Sequence, residues 1–275
     1  GQWRWAVRLA EAALDAGLEA SSFTCSAVIS ALETAERWEA GLHVLEGARR
    51  ADVEPNVVAL NTAISCFSQG SEWPRACSLL LGMKAWHVSP DAISLNAAVA
   101  ACGRGRCWQH ALGLVRLLLR QGVAPDVVTY SAAISACEKA SQLERAVDCL
   151  REMRGRRVSP SAISYSAAIS AAEKAGHWQW ALELLRQTRA WRLAPDGISY
   201  NAALSACLKG QQWERTLALF QEMPWLRVQP SAITCSEVVG ACGEGSRWED
   251  ASSVLLGMYQ ARLGVDVWTC SSAIS

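Results

Sequence analysis

One row of residues in this chain contains only serine and asparagine, and it returns every 35 positions. Its eight members are Ser26, Asn61, Asn96, Ser131, Ser166, Asn201, Ser236 and Ser271. Hydroxyl and amide groups donate and accept hydrogen bonds. Both residue types are poor helix formers, so helix propensity does not explain the restriction. We interpret the row as small polar groups along a concave face; the alternative is that each side chain bonds back to its own helix.

A second polar row lies five positions before the first. It contains only aspartate, asparagine and serine: Ser21, Asn56, Asp91, Asp126, Ser161, Asp196, Ser231 and Asp266. All of these are preferred N-cap residues, whose side-chain oxygens accept a backbone N–H at the start of a helix. Capping explains the residue types, but it does not explain how each cap is paired with the serine or asparagine 30 positions earlier.

These rows offer hydrogen bonds rather than catalysis. The sequence has no Ser/His/Asp set, no phosphate-binding glycine loop and no H-x-E with a C-x-x-C pair, so we expect no enzyme in this segment. The four histidines show no ligand spacing, and we expect neither a metal nor a cofactor. Any enzymatic domain would lie beyond residue 275.

Seven of the eleven cysteines recur at two fixed positions of the period, Cys102, Cys137, Cys207 and Cys242 at one and Cys25, Cys235 and Cys270 at the other. Ala172, Leu32 and Phe67 stand at the first of these positions in other units. We therefore interpret the cysteines as small buried apolar residues in a reducing compartment, not as a disulfide framework. Lys plus Arg equals Asp plus Glu, 26 against 26, which counts against a strongly basic nucleic-acid binder. No apolar run approaches the roughly 18 residues of a membrane span, so we expect no membrane contact.

The elements that position the rows follow from the prolines. Six of them stand at intervals of 35 residues: Pro55, Pro90, Pro125, Pro160, Pro195 and Pro230. A strict period of this length predicts a solenoid, in which each unit buries its apolar face against its neighbours. Any function then lies on an extended surface rather than in one pocket.

Each unit reads as a helical hairpin. A first helix with apolar residues at helical spacing is followed by a short break, often at glycine, and by a second helix that usually opens with tryptophan. We interpret the tryptophans as inter-helix core rather than as a stacking platform for bases. Seven full units are predicted, at 22–56, 57–91, 92–126, 127–161, 162–196, 197–231 and 232–266. Residues 1–21 supply the second helix of an earlier unit, and residues 267–275 begin a later one.

The unit resembles the pentatricopeptide repeat. Residues 127–140 read VVTYSAAISACEKA, and ERA at 144–146 and LREM at 150–153 follow. The 35-residue length and the Pro-Asp closure distinguish this family from the tetratricopeptide family, which has a 34-residue period. The resemblance covers essentially the whole chain. It implies an all-α fold, a right-handed α-solenoid of antiparallel helix pairs in a P-type array.

The resemblance also implies a function. Arrays of this family bind single-stranded RNA with one base read by each repeat, and they act in chloroplasts or mitochondria on RNA processing, stability or translation. The runner-up function is a protein-binding scaffold, as in tetratricopeptide arrays; the neutral charge favours it, and the restricted serine and asparagine row opposes it. We expect a monomer in this segment.

In the family, the fifth residue of a repeat and the cap that follows it select the base together. The resemblance implies adenine for Ser26 with Asn56, uracil for Asn61 with Asp91 and for Asn96 with Asp126, guanine for Ser166 with Asp196, cytosine for Asn201 with Ser231, and guanine for Ser236 with Asp266. Ser131 with Ser161 departs from the usual pairs, and its base stays open. The expected RNA is 5′-A-U-U-N-G-C-G-3′, with its 5′ end at the amino end of the protein.

Two further rows take their roles from the resemblance. The second residue of each unit would stack on the bases, although packing in the core is the alternative: Phe23, Val58, Ile93, Val128, Ile163, Ile198, Ile233 and Trp268. Four cations that end consecutive first helices would contact phosphate: Arg104, Lys139, Lys174 and Lys209. Acidic residues nearby dilute this charge, so we expect a weak salt dependence, corresponding to about four phosphates or fewer.

Overall fold

The computed structural model describes residues 5, 8, 27–32, 35, 38–50, 55–120, 122, 124–224, 228–244 and 247–260. Within them the regular structure is entirely helical, as the sequence predicts. Thirteen α-helices have defined bounds in this part: α1 Trp38–Arg50, α2 Val57–Gln69, α3 Trp73–Gly82, α4 Ala92–Arg104, α5 Trp108–Arg120, α6 Val127–Lys139, α7 Leu143–Gly155, α8 Ala162–Lys174, α9 Trp178–Ala190, α10 Gly197–Lys209, α11 Trp213–Glu222, α12 Ala232–Glu244 and α13 Trp248–Gln260. Residues 27–32 are also helical, and a short 3₁₀ helix, Met83–Trp86, follows α3.

The helices form two compact units, residues 1–140 and residues 141–275. In the first unit, α2 packs against α4 and α4 against α6, while α3 and α5 each contact the first helix of their own repeat and that of the next. In the second unit, α8, α10 and α12 form the same row, and α9 and α11 occupy the positions of α3 and α5. Each unit is thus built from hairpins that bury one another, which is the solenoid arrangement.

The first helices begin where the cap residues predict. A cap side-chain oxygen accepts a backbone N–H three residues later at Asn56, Asp91, Asp126, Ser161, Asp196 and Ser231. At Asp91 and Asp126 the third helical residue returns a bond to the cap backbone, completing a capping box. Capping fixes the start of each first helix, and therefore fixes which side chains occupy its exposed face.

The core between helices combines small side chains with the fully buried aromatic residues Tyr130, Tyr165, Tyr200 and Phe67. Cys102, Cys137 and Cys207 are fully buried, and Ala172 is equally buried at the matching position. Cys77 and Cys102 lie with their sulfur atoms 3.4 Å apart across the α3 and α4 interface. Eight of the nine described cysteines are buried, in agreement with their interpretation as small buried apolar residues, whereas Cys107 is partly exposed; Cys25 and Cys270 lie outside the described residues.

The tryptophans are less buried than the sequence predicts. Trp38, Trp73 and Trp178 are only half-buried, and each packs against the glycine that ends the first helix of the next repeat. A Cβ atom added to Gly105 would lie 2.2 Å from Cδ1 of Trp73, so the ring occupies the space a side chain would need. The prediction overestimated their burial: these rings do lie between helices, but they cover the turn of the next repeat and stay partly exposed.

No helix in the described ranges is long and apolar enough to cross a bilayer. The same residues contain no cluster of three or more His, Cys, Asp or Glu side chains that could hold a metal ion.

Candidate nucleic-acid interface

The fifth residue of one repeat and the cap that follows it lie side by side. Nδ2 of Asn61, on α2, donates to Oδ1 of Asp91, which caps α4, at 3.1 Å. One repeat later, Nδ2 of Asn96 lies 3.4 Å from both carboxylate oxygens of Asp126. The residues of each pair are 30 positions apart. Packing of successive first helices therefore brings the two polar rows together as donor and acceptor.

A hydroxyl group completes each asparagine site. Oδ1 of Asn61 accepts a hydrogen bond from Ser94, the third residue of α4. Oδ1 of Asn96 accepts from Oγ1 of Thr129 at 2.5 Å, and Oδ1 of Asn201 accepts from Oγ1 of Thr234 at the same distance. All three hydroxyl residues are buried and lie 33 positions after their asparagine. Each asparagine carbonyl is thus held by the next repeat.

The two aspartates of these sites are stabilised as carboxylates. Partial burial alone would raise the pKa of Asp91, but hydrogen bonds from Ser94 and Asn61 outweigh it and lower the pKa below the ordinary value. The pKa of Asp126 is lowered in the same way against the same burial, by bonds from Thr129 and Asn96. At neutral pH both caps are therefore pure acceptors of hydrogen bonds.

The serines of the first row behave differently. Oγ of Ser131 donates to the carbonyl oxygen of Val127 at 2.7 Å, and Oγ of Ser236 donates to that of Ala232 at 3.0 Å. Bonding to the helix backbone, the alternative that the sequence left open, thus occurs at these two serines, whereas the asparagines reach the next repeat. Ser166 is 9% exposed. The same repeat position therefore holds two kinds of side chain: serines that bond to their own helix and asparagines that bond to the next repeat.

The second residue of each described repeat is exposed rather than buried. Val58, Ile93, Val128, Ile163, Ile198 and Ile233 are between 58% and 71% exposed. This observation excludes the core alternative for these six side chains. Because the second and fifth residues are three positions apart on one helix, they lie on neighbouring parts of the same helical face. An apolar row therefore accompanies the polar one.

The four predicted phosphate contacts are exposed, but two of them already have partners. Nη2 of Arg104 donates to Oγ of Ser68 at 2.7 Å. Nζ of Lys209 forms an ion pair with Glu173. Lys139 and Lys174 also lie at the surface. A phosphate at Lys209 would have to compete with a carboxylate.

Four of the predicted site residues, Phe23, Ser26, Asp266 and Trp268, lie outside the described residues. Sequence reasoning missed the hydroxyls of Ser94, Thr129 and Thr234. The sequence contains a signal for them. From the repeat that begins at residue 92 onward, the third residue of every first helix is Ser or Thr, whereas the repeat 57–91 has Ala59 there.

Two protein-family models match parts of this chain. A model described as the PPR repeat family matches residues 125–172, and one described as PPR repeat matches residues 163–191 and 198–228. A sequence comparison with curated proteins finds no match.

Among solved structures, the pentatricopeptide repeat protein PPR10 from maize is similar over 100% of this chain and 44% of its own, with a TM-score of 0.67 and 25% identity. PPR10 in complex with an 18-nt psaJ RNA element has a TM-score of 0.66 and 23% identity over the same shares. The PPR domain of Arabidopsis thaliana protein-only RNase P 1, in complex with tRNA, is 18% identical with a TM-score of 0.60, over 64% of this chain and 93% of that one. This chain spans less than half the length of the maize protein, and these likenesses establish the fold.

Proposed function

Because this chain belongs to the pentatricopeptide repeat family, we propose that it binds single-stranded RNA and that successive repeats read successive bases. The observation that carries the proposal is the contact between Asn61 and Asp91, repeated at Asn96 and Asp126. Two polar residues 30 positions apart meet where adjacent first helices pack, beside the row of exposed aliphatic side chains, and Asn61 is itself only 8% exposed. Similar proteins from maize and Arabidopsis have been solved with RNA.

The chemistry of each pair supports a particular base. An ionised aspartate accepts the ring N–H of uracil or guanine, while an asparagine N–H donates to a ring nitrogen or carbonyl of a pyrimidine. Asn61 with Asp91 and Asn96 with Asp126 combine both groups, as uracil requires. Ser166 with Asp196 keeps the acceptor and leaves space for a purine, which favours guanine. Asn201 with Ser231 keeps the donor without the carboxylate, which favours cytosine.

The exposed second residues supply contact that does not depend on base identity. An aliphatic side chain that is 58–71% exposed in the free protein can be covered by the face of a base, which removes apolar area from water. Since these residues recur once per repeat, they can sandwich bases at the same interval as the polar pairs. This arrangement favours a single strand with unstacked bases over a duplex.

The proposal includes the RNA 5′-A-U-U-N-G-C-G-3′, read from the amino end. An organellar setting and a role in RNA processing, stability or translation follow from the family resemblance and belong to the same proposal. Crosslinking of the full-length protein in cells, followed by sequencing of the recovered RNA, would identify the transcript. Recovery of transcripts without a related motif would contradict the predicted sequence.

Binding can be tested directly with the 275-residue chain. Electrophoretic mobility shifts with the predicted RNA should be competed by the same RNA, and at least tenfold less well by poly-C or by oligonucleotides in which one predicted base is replaced. Equal competition by poly-C would refute base reading. A peptide pull-down in parallel addresses the scaffold function, since capture of peptides without RNA binding would replace the proposal.

A further inference from the structure

The three asparagines of the base-selecting row share an unexpected partner. In each case Oδ1 accepts a hydrogen bond from the third residue of the next first helix: Ser94 for Asn61, Thr129 for Asn96 and Thr234 for Asn201. We propose that Ser94, Thr129 and Thr234 are positioning residues that fix which edge of the asparagine amide is offered to a base. This inference rests on the proposed function, because it concerns the same base-selecting row.

An asparagine amide needs such a constraint to be selective. Its oxygen and nitrogen ends have nearly the same shape, but one accepts hydrogen bonds and the other donates them. A half-turn about the last side-chain bond would replace a donor by an acceptor at the position that faces the base. A pair that discriminates between uracil and cytosine therefore requires one orientation to be held.

The hydroxyl can hold that orientation because one of its lone pairs is already engaged. Oγ of Ser94 accepts the backbone N–H of Asp91 at 3.2 Å, and Oγ1 of Thr129 accepts that of Asp126 at 3.3 Å. Both hydroxyls are fully buried, so water does not compete for their protons. The proton is consequently directed at nearby acceptors, and the asparagine oxygen is one of them.

In the uracil pairs, the aspartate enforces the same choice from the other side. Nδ2 of Asn61 donates to the carboxylate of Asp91. If the amide turned over, its oxygen would face an ionised carboxylate, and two acceptors would meet without a proton between them. The hydroxyl and the carboxylate therefore favour one amide orientation together.

The cytosine pair depends on the hydroxyl alone. The cap Ser231 lies with its Oγ 2.9 Å from Oγ1 of Thr234, which also accepts the Ser231 backbone N–H at 3.2 Å. With the serine donating, both lone pairs of Thr234 are occupied, and its proton goes to Asn201. We expect this repeat to be the most sensitive to loss of the hydroxyl.

The chain provides a matched control. Ser199 occupies the same third position as Ser94 and is also buried, and its Oγ lies 2.7 Å from a carboxylate oxygen of its cap Asp196, as Oγ of Ser94 lies 2.9 Å from one of Asp91. The fifth residue of the preceding repeat is Ser166, which has no amide group to orient. Ser94→Ala and Ser199→Ala therefore both remove a hydroxyl next to the cap carboxylate. Ser94→Ala also removes the acceptor of the Asp91 backbone N–H and the bond to an asparagine.

Binding of the full chain to RNAs with uracil or cytosine at the second base gives the first test. Ser94→Ala should lower the uracil preference by about fivefold, the factor that one ordinary hydrogen bond supplies, and Ser94→Thr should restore it. Ser199→Ala should change the guanine preference at the fifth base by less than about twofold relative to the wild type. Should Ser94→Ala weaken all bases equally, as Ser199→Ala does, the hydroxyl is only a capping group and the inference is overturned.

A measurement without RNA separates this inference from the proposed function. The chain contains four asparagines, Asn56, Asn61, Asn96 and Asn201, so ¹⁵N-asparagine labelling yields four side-chain NH₂ pairs. Ser94→Ala should shift the Asn61 pair and speed its exchange with solvent, leaving the Asn201 pair unchanged. An unperturbed Asn61 pair overturns the inference even if RNA is bound selectively. A wild-type protein with a held Asn61 amide but no base preference would instead refute the proposed function.

Discussion

The amide nitrogen of Asn61 lies 3.1 Å from a carboxylate oxygen of Asp91, although the two residues belong to different helices and are 30 positions apart. Asp91 has two tasks at this point. It caps α4 through the backbone N–H of Ser94, and it accepts from the preceding asparagine. One side chain thereby fixes the start of a helix and completes a partly buried polar pair between adjacent first helices, so that local helix geometry sets the spacing of the pairs.

Exchanging serine and asparagine at the fifth position should exchange the preferred base. Asn61→Ser converts the pair with Asp91 into the type that Ser166 and Asp196 already form, so the fold has a precedent for it. We expect the second base to change from uracil to guanine, with a preference of about tenfold, on the scale of one or two hydrogen bonds. Filter binding with the four bases at that position measures the change.

The reciprocal variant is the control for this exchange. Ser166→Asn should move the fifth base from guanine towards uracil and leave the second base unaffected. If both variants lose affinity for every base to the same degree, the fifth residue supports the surface without selecting a base.

Exposed and buried isoleucines on one helix should separate binding from stability. Ile163 is 71% exposed on α8, whereas Ile169 on the same helix is fully buried. Ile163→Ser should weaken RNA binding by about threefold or more, since apolar contact with a base is lost, and should change the free energy of unfolding by less than about 0.5 kcal/mol. Ile169→Ala should cost about 2–5 kcal/mol in urea denaturation. A binding defect that appears only with Ile169→Ala would contradict the stacking role of the exposed row.

Releasing Lys209 from its ion pair should strengthen RNA binding. Lys209 contacts Glu173, and the competition with phosphate disappears in Glu173→Gln. We expect a two- to threefold higher affinity at low salt and a plot of log affinity against log salt that is steeper by about 0.7, the contribution of one additional phosphate contact on a single strand. Glu222→Gln, which removes the partner of Arg189 instead, is the matched control. Equal salt slopes in all three proteins would show that Lys209 does not meet the RNA backbone.

The period, the caps and the pairing of the two polar rows could be predicted from the sequence. Helix caps depend on local geometry, so Asp91 and Asp126 identify the helix starts without knowledge of the packing. Because the stacked hairpins all have the same length, each cap lies at the same level along the first helix of the preceding repeat. The adjacency of Asn96 and Asp126 follows from that regularity.

The difference between serine and asparagine sites could not be predicted in the same way. Whether a side chain bonds to its own helix, as Ser131 does, or reaches a partner in the next repeat, as Asn61 does, depends on its length relative to the gap between helices. Between α4 and α6 that gap is small, since a Cβ atom added to Gly103 would lie 3.6 Å from the Cβ atom of Ala136. The partly exposed position of Trp73 was missed for a related reason, because its glycine partner Gly105 lies in the following repeat.

Glu237 should make stability fall as pH rises. Burial raises the pKa of this carboxyl; a hydrogen bond from Ser205 and the charge of Lys209 oppose the shift, and nearby Glu173 adds to it. At pH values between the unfolded pKa and the higher folded pKa, the folded protein holds a proton that the unfolded chain has lost. The free energy of unfolding therefore declines as pH rises through this range. Glu237→Gln should remove this decline and raise the melting temperature at neutral pH. A constant difference from the wild type across pH 4–8 would contradict the assignment.

The aspartates of the uracil pairs should have the opposite effect on pH dependence. Hydrogen bonds from Ser94 and Asn61 lower the pKa of Asp91 despite the opposing effect of its burial, so the folded protein releases this proton more readily than the unfolded chain. Its contribution to stability is complete above the unfolded pKa and is lost as pH falls through the folded value. Asp91→Asn retains a capping residue but no charge, so it should be less stable than the wild type at pH 6, and the difference should shrink as pH falls below the unfolded pKa. Urea denaturation at pH 6 and below the unfolded pKa measures this. Because Asp91 stays ionised from pH 5 to 8, the uracil preference at the second base should remain constant over that range, and a preference that weakens at pH 5 would show that another group controls it.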